Sequence, residues 1–130
     1  MADRISDFLT TIRNASMARK EACLGIYSKQ LWSIAQILKE EGYIRGAREE
    51  VSENGHRAIE VTLKYVDESP AITTLKRWSK PGRRLYYNCD EIPRILGGLG
   101  VGILTTSEGV MADRQARKRK IGGELICAVW

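Results

Sequence analysis

The chain has 130 residues, of which 43% are hydrophobic and 28% charged, a balance typical of a folded protein rather than a disordered tail. It contains no run of about 18 apolar residues, which excludes a membrane span, and Met1-Ala2-Asp3-Arg4 lacks the layout of a signal peptide, so we expect a cytoplasmic protein. The net charge of +5 is concentrated in the second half of the chain. Residues 71–130 contain 11 Lys/Arg and 5 Asp/Glu, whereas residues 1–70 contain 10 Lys/Arg and 11 Asp/Glu. Such a cationic half favours a polyanion such as nucleic acid.

The first half begins with a predicted α-β-α pattern. Apolar residues recur at helical spacing from Ile5 to Ile12 behind Asp3, a candidate N-cap, and this predicts an amphipathic helix. The short apolar run 22–27 predicts a strand. A second helix is predicted to begin after Ser28, which can cap it, and to end before Gly42, which stands where a C′ glycine belongs.

Two strands are predicted next, over residues 44–51 and 59–65. Asn54-Gly55 lies between them and tolerates the positive φ angles of a type I′ turn, so the two strands should form a hairpin. The polar segment Asp67-Glu68-Ser69-Pro70 follows, and its proline cannot donate to a sheet ladder. We therefore expect an N-terminal α/β lobe of residues 1–66 and a C-terminal β-rich lobe of residues 71–130.

The second half is predicted to be mostly β structure. Residues 72–78 read as extended, Lys80-Pro81-Gly82 suits a type II turn, and the chain resumes as a strand over 83–87. Asp90-Glu91-Ile92-Pro93 looks like the start of a short helix. Three further elements complete the pattern: a strand over 101–106, a short basic helix over 113–120 and a closing strand over 125–129. The fold class predicted is α+β in two small lobes.

Residues that could support catalysis are sparse. His56 is the only histidine, and its place directly after Asn54-Gly55 predicts a surface turn residue. A catalytic Ser-His or Cys-His pair would have to use His56 as its base, and a hairpin turn holds a catalytic base poorly. The sequence therefore predicts no enzyme and no small-molecule substrate.

Metal and cofactor sites are not predicted either. The cysteines, which we expect to be reduced and mostly buried, are odd in number, far apart and without a Cys-x-x-Cys pair: Cys23, Cys89 and Cys127. Gly97-Gly98-Leu99-Gly100-Val101-Gly102 does not spell the dinucleotide motif G-x-G-x-x-G. We interpret it as a helix stop with close backbone packing.

Hydroxyl and cationic side chains follow one another after the predicted strand 101–106. Thr105, Thr106 and Ser107 can bind a 2′-OH, a phosphate oxygen or a base edge, or they form an ordinary polar strand end. In the basic helix behind them, three cations can share a face through i, i+3 and i+4 spacing and would position a phosphate backbone: Arg114, Arg117 and Lys118.

A carboxylate and a basic, aromatic segment complete the candidate site. Gly122, Gly123 and Glu124 predict a tight turn whose carboxylate either accepts a hydrogen bond from RNA or simply faces solvent at a strand start. Tyr86 and Tyr87 should face opposite ways, so at most one belongs to a site. Both tyrosines belong to a basic and aromatic segment whose cations can bind phosphates and whose rings can stack on a base. The other members of this segment are Lys76, Arg77, Trp78, Lys80, Arg83 and Arg84.

These motifs together resemble the family of bacterial small-subunit ribosomal protein eight. The resemblance covers Ile5 to Trp130 and rests on these segments: Ile12-Arg13-Asn14, Lys39-Glu40-Glu41-Gly42-Tyr43-Ile44, Trp78 to Tyr86, Gly98-Leu99-Gly100, Thr105 to Met111, Ala116-Arg117 and Ile121 to Cys127. It implies a two-lobed α/β structural protein that binds an irregular stem in the central domain of small-subunit ribosomal RNA and helps assemble the platform. An alternative function is translational repression through a mimic stem-loop in the messenger RNA of its own operon.

The resemblance also implies site residues and partners. The family's RNA-reading positions correspond to Thr105, Thr106, Ser107, Gly122, Gly123 and Glu124, with Tyr86 and the turn around Lys80 nearby. The N-terminal lobe is expected to add backbone contacts through Thr10, Arg13, Asn14, Ser28 and Lys29. The implied protein partners are small-subunit proteins five and twelve. Three residues depart from the usual family pattern: Thr105 stands for serine, Ala112 for a capping threonine and Tyr27 for proline.

Overall fold

A computed structural model describes residues 3–130, so Met1 and Ala2, which belong to the segment tested for a signal peptide, lie outside the described residues. The chain forms two compact units, which we call the N-terminal unit (Arg4–Thr73) and the C-terminal unit (Thr74–Trp130 with Asp3). Both combine helices with antiparallel sheet, which confirms the α+β prediction. No helix within residues 3–130 is both long and apolar enough to cross a membrane.

The N-terminal unit packs two helices with a three-stranded antiparallel sheet of order β1-β3-β2. Its elements are α1 (Arg4–Met17), β1 (Ala22–Ile26), α2 (Lys29–Glu40), β2 (Ile44–Val51), β3 (Arg57–Leu63), β4 (Tyr65–Val66) and β5 (Ser69–Pro70). The apolar stripe of each helix is buried, as its 3.6-residue period requires, with Leu9 and Ile12 of α1 and Ile34 and Leu38 of α2 fully covered.

The predicted caps of α2 are both confirmed. The Ser28 Oγ accepts the N–H of Leu31 at 3.1 Å, which satisfies one of the donors left open in the first turn. At the other end Gly42 has φ +85°, and its N–H donates to the Lys39 carbonyl. Glycine adopts this left-handed conformation without the steric cost that a Cβ would impose.

The β2–β3 hairpin forms as predicted, but its turn type was wrong. Ser52 pairs with His56, which leaves three residues in the loop, and only Gly55 of the Asn54-Gly55 pair has a positive φ. A three-residue loop needs one left-handed residue and not the two of a type I′ turn. Two successive left-handed residues occur instead at Asp67-Glu68, in the tip of the small β4–β5 hairpin.

The C-terminal unit is built on β10, the central strand of an antiparallel sheet of order β6-β10-β8-β9, to which β7 also pairs. Its elements are β6 (Leu75–Arg77), β7 (Tyr86–Tyr87), β8 (Val101–Thr106), β9 (Gly109–Ala112), α3 (Asp113–Arg119) and β10 (Gly123–Val129). Every residue of β10 after Gly123 is buried, and Leu104, Met111, Ala116, Ile92 and Leu125 form one core cluster.

Two sequence predictions in this unit are wrong. The Lys80-Pro81-Gly82 turn is closed by two hydrogen bonds between Lys80 and Arg83, but Gly82 lacks the positive φ of a type II turn. Residues 90–93 form no helix. The carbonyl oxygens of Ile92 and Pro93 accept hydrogen bonds from Arg117 at 3.3 and 3.0 Å and are therefore not available to a helical ladder.

The glycine-rich run also differs in part from its prediction. The run overlaps a short 3-10 helix (Ile95–Gly98) that is interrupted by a left-handed turn at Leu96 and Gly97, so the predicted helix stop falls within the run rather than before it. The expected close packing is confirmed at Gly100, where a Cβ would lie 2.6 Å from Cγ2 of Ile95 and 2.9 Å from the Val129 carbonyl oxygen.

The cysteines are free thiols, as predicted, but only Cys127 is fully buried, whereas Cys23 and Cys89 are half-buried. Burial raises the pKa of the Cys127 thiol to about 12, because the apolar surroundings disfavour the thiolate. His56 is exposed at its turn, as expected.

Candidate nucleic-acid interface

Three predicted site residues stand side by side on one face of the C-terminal sheet. Glu124 of β10 is directly opposite Tyr86 of β7 on one side and Thr105 of β8 on the other. Residues directly opposite in adjacent strands point to the same face. We call Tyr86, Glu124 and Thr105 the interface row. Tyr86 is 68% exposed, so its ring is accessible on that face.

The two tyrosines of β7 face opposite ways, as predicted. Tyr87 packs against the core cluster, and its hydroxyl accepts the indole N–H of Trp78 at 3.2 Å. Tyr86 alone is presented beside Glu124. The pairing of the strands thus selects which of the two rings belongs to the interface row.

The Glu124 carboxylate is buried and held in one orientation. Its Oε2 accepts a hydrogen bond from the Ser79 hydroxyl at 2.6 Å. The same oxygen forms an ion pair with Arg84 at 3.2 Å. Ser79 is itself fully buried and accepts the Leu85 N–H at 3.0 Å. The alternative of a solvent-facing glutamate is therefore wrong, since Glu124 is 8% exposed.

Sequence reasoning missed Ser79, which orients Glu124 from 45 positions earlier in the chain. It named Arg84 only as one of several cations. The available signal was the position of Ser79 within the basic and aromatic segment, but nothing local indicates a partner so distant in sequence.

Gly122 and Gly123 do not form the predicted tight turn, since Gly123 is already the first residue of β10 and Gly122 lies in no turn. They permit close approach of backbones instead. A Cβ on Gly122 would lie 2.3 Å from the Tyr87 carbonyl oxygen, and one on Gly123 would lie 2.3 Å from the Thr105 carbonyl oxygen. Because these two residues carry no side chain, the chain at the start of β10 can lie close to both β7 and β8 beside Glu124.

The three hydroxyls of the predicted cluster have different environments. The Thr106 hydroxyl donates to the Gly109 carbonyl at 2.7 Å and accepts the Glu108 N–H at 3.1 Å, so it stabilises the β8–β9 turn. Ser107 is exposed at that turn, and Thr105 is half-buried in the interface row. The hydroxyls are thus close in sequence but do not form one rigid cluster.

The cations of α3 also separate into two kinds. Arg117 is only 18% exposed in its side chain and pairs with Asp113 at 2.9 Å, besides its hydrogen bonds to Ile92 and Pro93. Arg114 and Lys118 are exposed. Arg117 therefore fixes the segment before the left-handed turn, whereas the other two present charge to solvent.

Ala112 occupies the N-cap position of α3 and makes no capping hydrogen bond. Asp113 does not substitute as a cap, because its Oδ2 pairs with Arg117. Its Oδ1 is buried and has no hydrogen-bond partner among residues 3–130.

The remaining predicted residues lie in two places. Lys80 and Arg83 are exposed at the turn that connects β6 to β7. The other five belong to the N-terminal unit. Ser28 caps α2, and Arg13 is half-buried. The remaining three are exposed: Thr10, Asn14 and Lys29. Beside them, Tyr27 carries the guanidinium of Arg57 over its ring at 3.8 Å.

The fold and the interface row define a small two-unit α+β protein with a polar and aromatic sheet face in its basic half. The family model of ribosomal protein S8 matches residues 3–130. Small ribosomal subunit protein uS8 of Opitutus terrae is 55% identical over the whole of both chains. The proteins of that name from Anaeromyxobacter dehalogenans and Rippkaea orientalis are 54% and 49% identical over 98% of this chain and 97% of their own.

The chain therefore belongs to the ribosomal protein S8 family. This membership confirms the resemblance seen in the sequence motifs. It also confirms that the chain is a ribosomal protein and not an enzyme.

Proposed function

We propose that the protein is a structural constituent of the small ribosomal subunit in the cytoplasm, where it binds an irregular stem in the central domain of the ribosomal RNA and helps assemble the platform. Membership of the S8 family and relatives named as small-subunit proteins support the ribosomal role. The observation that carries the RNA-binding proposal is the interface row, which places an exposed ring, a fixed carboxylate and a hydroxyl residue in line across three strands.

Each member of the row has a chemical role in this proposal. The Glu124 carboxylate is held through Oε2, so Oε1 can accept a hydrogen bond from a base amino group or a ribose 2′-OH. Tyr86 offers a ring on which an unpaired base can stack. Thr105 and Ser107 supply hydroxyls at the other side, and the glycines beside Glu124 let the strands of the row lie close together.

Exposed cations elsewhere in the C-terminal unit are proposed to bind the phosphate backbone. Lys80, Arg83, Arg114 and Lys118 are exposed in the same unit. Such contacts supply affinity without sequence information, whereas the row provides the specific contacts. In the N-terminal unit, Thr10, Arg13, Asn14, Ser28 and Lys29 are proposed as further backbone contacts.

A carboxylate variant tests the proposal, because removing a negative charge ordinarily strengthens binding to RNA. We expect Glu124→Ala instead to weaken binding to the irregular stem by about 1 to 3 kcal/mol, or roughly 5- to 150-fold, through loss of a specific contact. The matched control is Glu53→Ala, an exposed carboxylate in the β2–β3 loop, which should leave the affinity unchanged or slightly increase it.

The measurement is the dissociation constant of each variant for the stem, for unstructured RNA and for duplex DNA at physiological salt. Wild-type protein should prefer the stem to both others. Equal affinity for the three nucleic acids, or an unchanged or tighter complex with Glu124→Ala, would overturn the proposal.

A surface that binds the ribosomal stem should also bind a messenger RNA stem-loop of the same shape, which is the basis of the repressor alternative. Competition between the ribosomal stem and a stem-loop from the protein's own operon tests it, and failure to compete rejects it.

Small-subunit proteins five and twelve are the proposed protein partners, to be tested by crosslinking within assembled subunits.

A further inference from the structure

The C-terminal unit has a concave surface that the interface row does not include. It encloses a volume of about 380 Å³ beside the turn between β6 and β7. We call this surface the tryptophan pocket. Its lining residues include Lys76, Trp78, Lys80, Arg83, Leu85 and Tyr87.

The tryptophan pocket lies on the opposite face of β7 from the interface row. Tyr87 lines the pocket, whereas its neighbour Tyr86 stands beside Glu124. Successive residues of a strand point to opposite faces. RNA bound on the row would therefore leave the pocket accessible to a second segment.

The pocket has more positive charge than the protein neutralises. Lys76, Lys80 and Arg83 form no ion pair with a carboxylate anywhere in residues 3–130, while the neighbouring Arg77 is already paired with Asp3 at 3.1 Å. Three cations around one concave surface favour a ligand with several negative groups spaced along a chain.

Its aromatic wall is rigid. Trp78 donates its indole N–H to the Tyr87 hydroxyl at 3.2 Å, and both rings pack against the core cluster. The Lys76 ammonium lies 5.6 Å from the centre of the Trp78 ring. A fixed ring beside cations can bind a nucleotide through its base or ribose and its phosphate together.

We propose that the tryptophan pocket binds a single-stranded RNA segment, with phosphates at Lys76, Lys80 and Arg83 and a base or ribose against Trp78 and Tyr87. The inference rests on the proposed function, because the segment would be RNA flanking the stem bound on the row. An acidic peptide would use the cations but leave the aromatic wall without a planar partner, so RNA is the better match.

The test uses the full chain and a short oligouridylate that carries 5-iodouridine. Binding should be salt-dependent, and photo-crosslinks mapped by mass spectrometry should fall on Trp78 or Tyr87. Lys76→Ala should weaken oligouridylate binding about three- to tenfold and lower the salt slope by about one, as expected for one lost phosphate contact. Lys39→Ala, which removes an exposed cation of the N-terminal unit, is the charge-matched control and should have no such effect.

Trp78→Phe keeps an apolar ring but removes the N–H to Tyr87, and it should reduce both the affinity and the crosslink yield. Crosslinks confined to other residues, equal effects of Lys76→Ala and Lys39→Ala, or displacement of the RNA by oligoglutamate of equal charge would each overturn the proposal.

Glu124→Ala separates this inference from the proposed function. It should leave oligouridylate binding unchanged while weakening binding to the stem. Loss of stem preference with intact crosslinks at Trp78 would reject the stem proposal alone, and normal stem binding without those crosslinks would reject the pocket alone.

Discussion

Gly123 illustrates how a missing side chain shapes the interface row. Any Cβ there would lie 2.3 Å from the Thr105 carbonyl oxygen and 3.0 Å from Cγ2 of Thr106. Backbone atoms cannot rotate away, so the strands must separate. We expect Gly123→Ala to lower the free energy of unfolding by about 1 to 3 kcal/mol, measured by urea denaturation.

Gly82→Ala is the matched control for that substitution. Gly82 has no positive φ and no atom within 4 Å of an added Cβ. Reduced freedom of the unfolded chain should make this variant neutral or slightly more stable. Equal destabilisation by the two substitutions would show that close packing at Gly123 is not the cause.

Cys127 gives a prediction for alkaline pH. Burial raises its pKa from 9.0 to about 12, so between these values the folded state keeps a proton that the unfolded state has lost. The free energy of unfolding should therefore fall as pH rises through that range. From pH 8 to pH 10 wild-type protein should lose about 1.4 kcal/mol more than Cys127→Ala in urea denaturation. An equal loss in the two proteins would contradict the burial of this thiol.

At the scale of elements, α3 combines structural and solvent-facing cations. Arg117 is bound to Asp113 and to the carbonyls of Ile92 and Pro93, so Arg117→Ala should lower the free energy of unfolding by about 1 to 3 kcal/mol. Lys118→Ala should instead leave stability unchanged and reduce the salt dependence of RNA binding by about one unit of slope. Urea denaturation and salt titrations check the pair, and the reverse assignment of effects would contradict the structure.

Local patterns predicted the regular elements well. The 3.6-residue stripes of α1 and α2, the alternation in β3 and the apolar run of β8 each express a period that depends only on neighbouring residues. Turn types were less predictable. The φ angles at Asn54 depend on which residues of β2 and β3 pair, and that register is set by the strands rather than by the dipeptide.

The false helix at residues 90–93 has a different cause. The proline and the acidic residues there suit a helix start, but Arg117, 24 positions after Pro93, takes the carbonyl oxygens. The candidate site shows the same limit. Thr105 and Glu124 were predicted from residue type and Tyr86 from the family resemblance, yet their alignment in one row and the support from Ser79 depend on strand pairing across long separations.

At the scale of the whole molecule, charge and interface residues are distributed between the units unequally. The N-terminal unit contains 10 Lys/Arg and 10 Asp/Glu, whereas the C-terminal unit with Asp3 contains 11 and 6. The excess positive charge therefore lies in the unit that holds the interface row. Charge attracts RNA to this unit in general, and the row supplies the contacts that can distinguish one RNA shape from another.

The most direct test of the interface row is a titration of the isotope-labelled chain with an RNA fragment containing the irregular stem, followed by backbone amide NMR. We expect the largest chemical-shift changes at Tyr86, at Thr105 to Ser107 and at Gly122 to Glu124, with smaller changes at Lys118. Changes confined to exposed cations, with Glu124 and its neighbours unaffected, would contradict the proposal that this row binds the RNA.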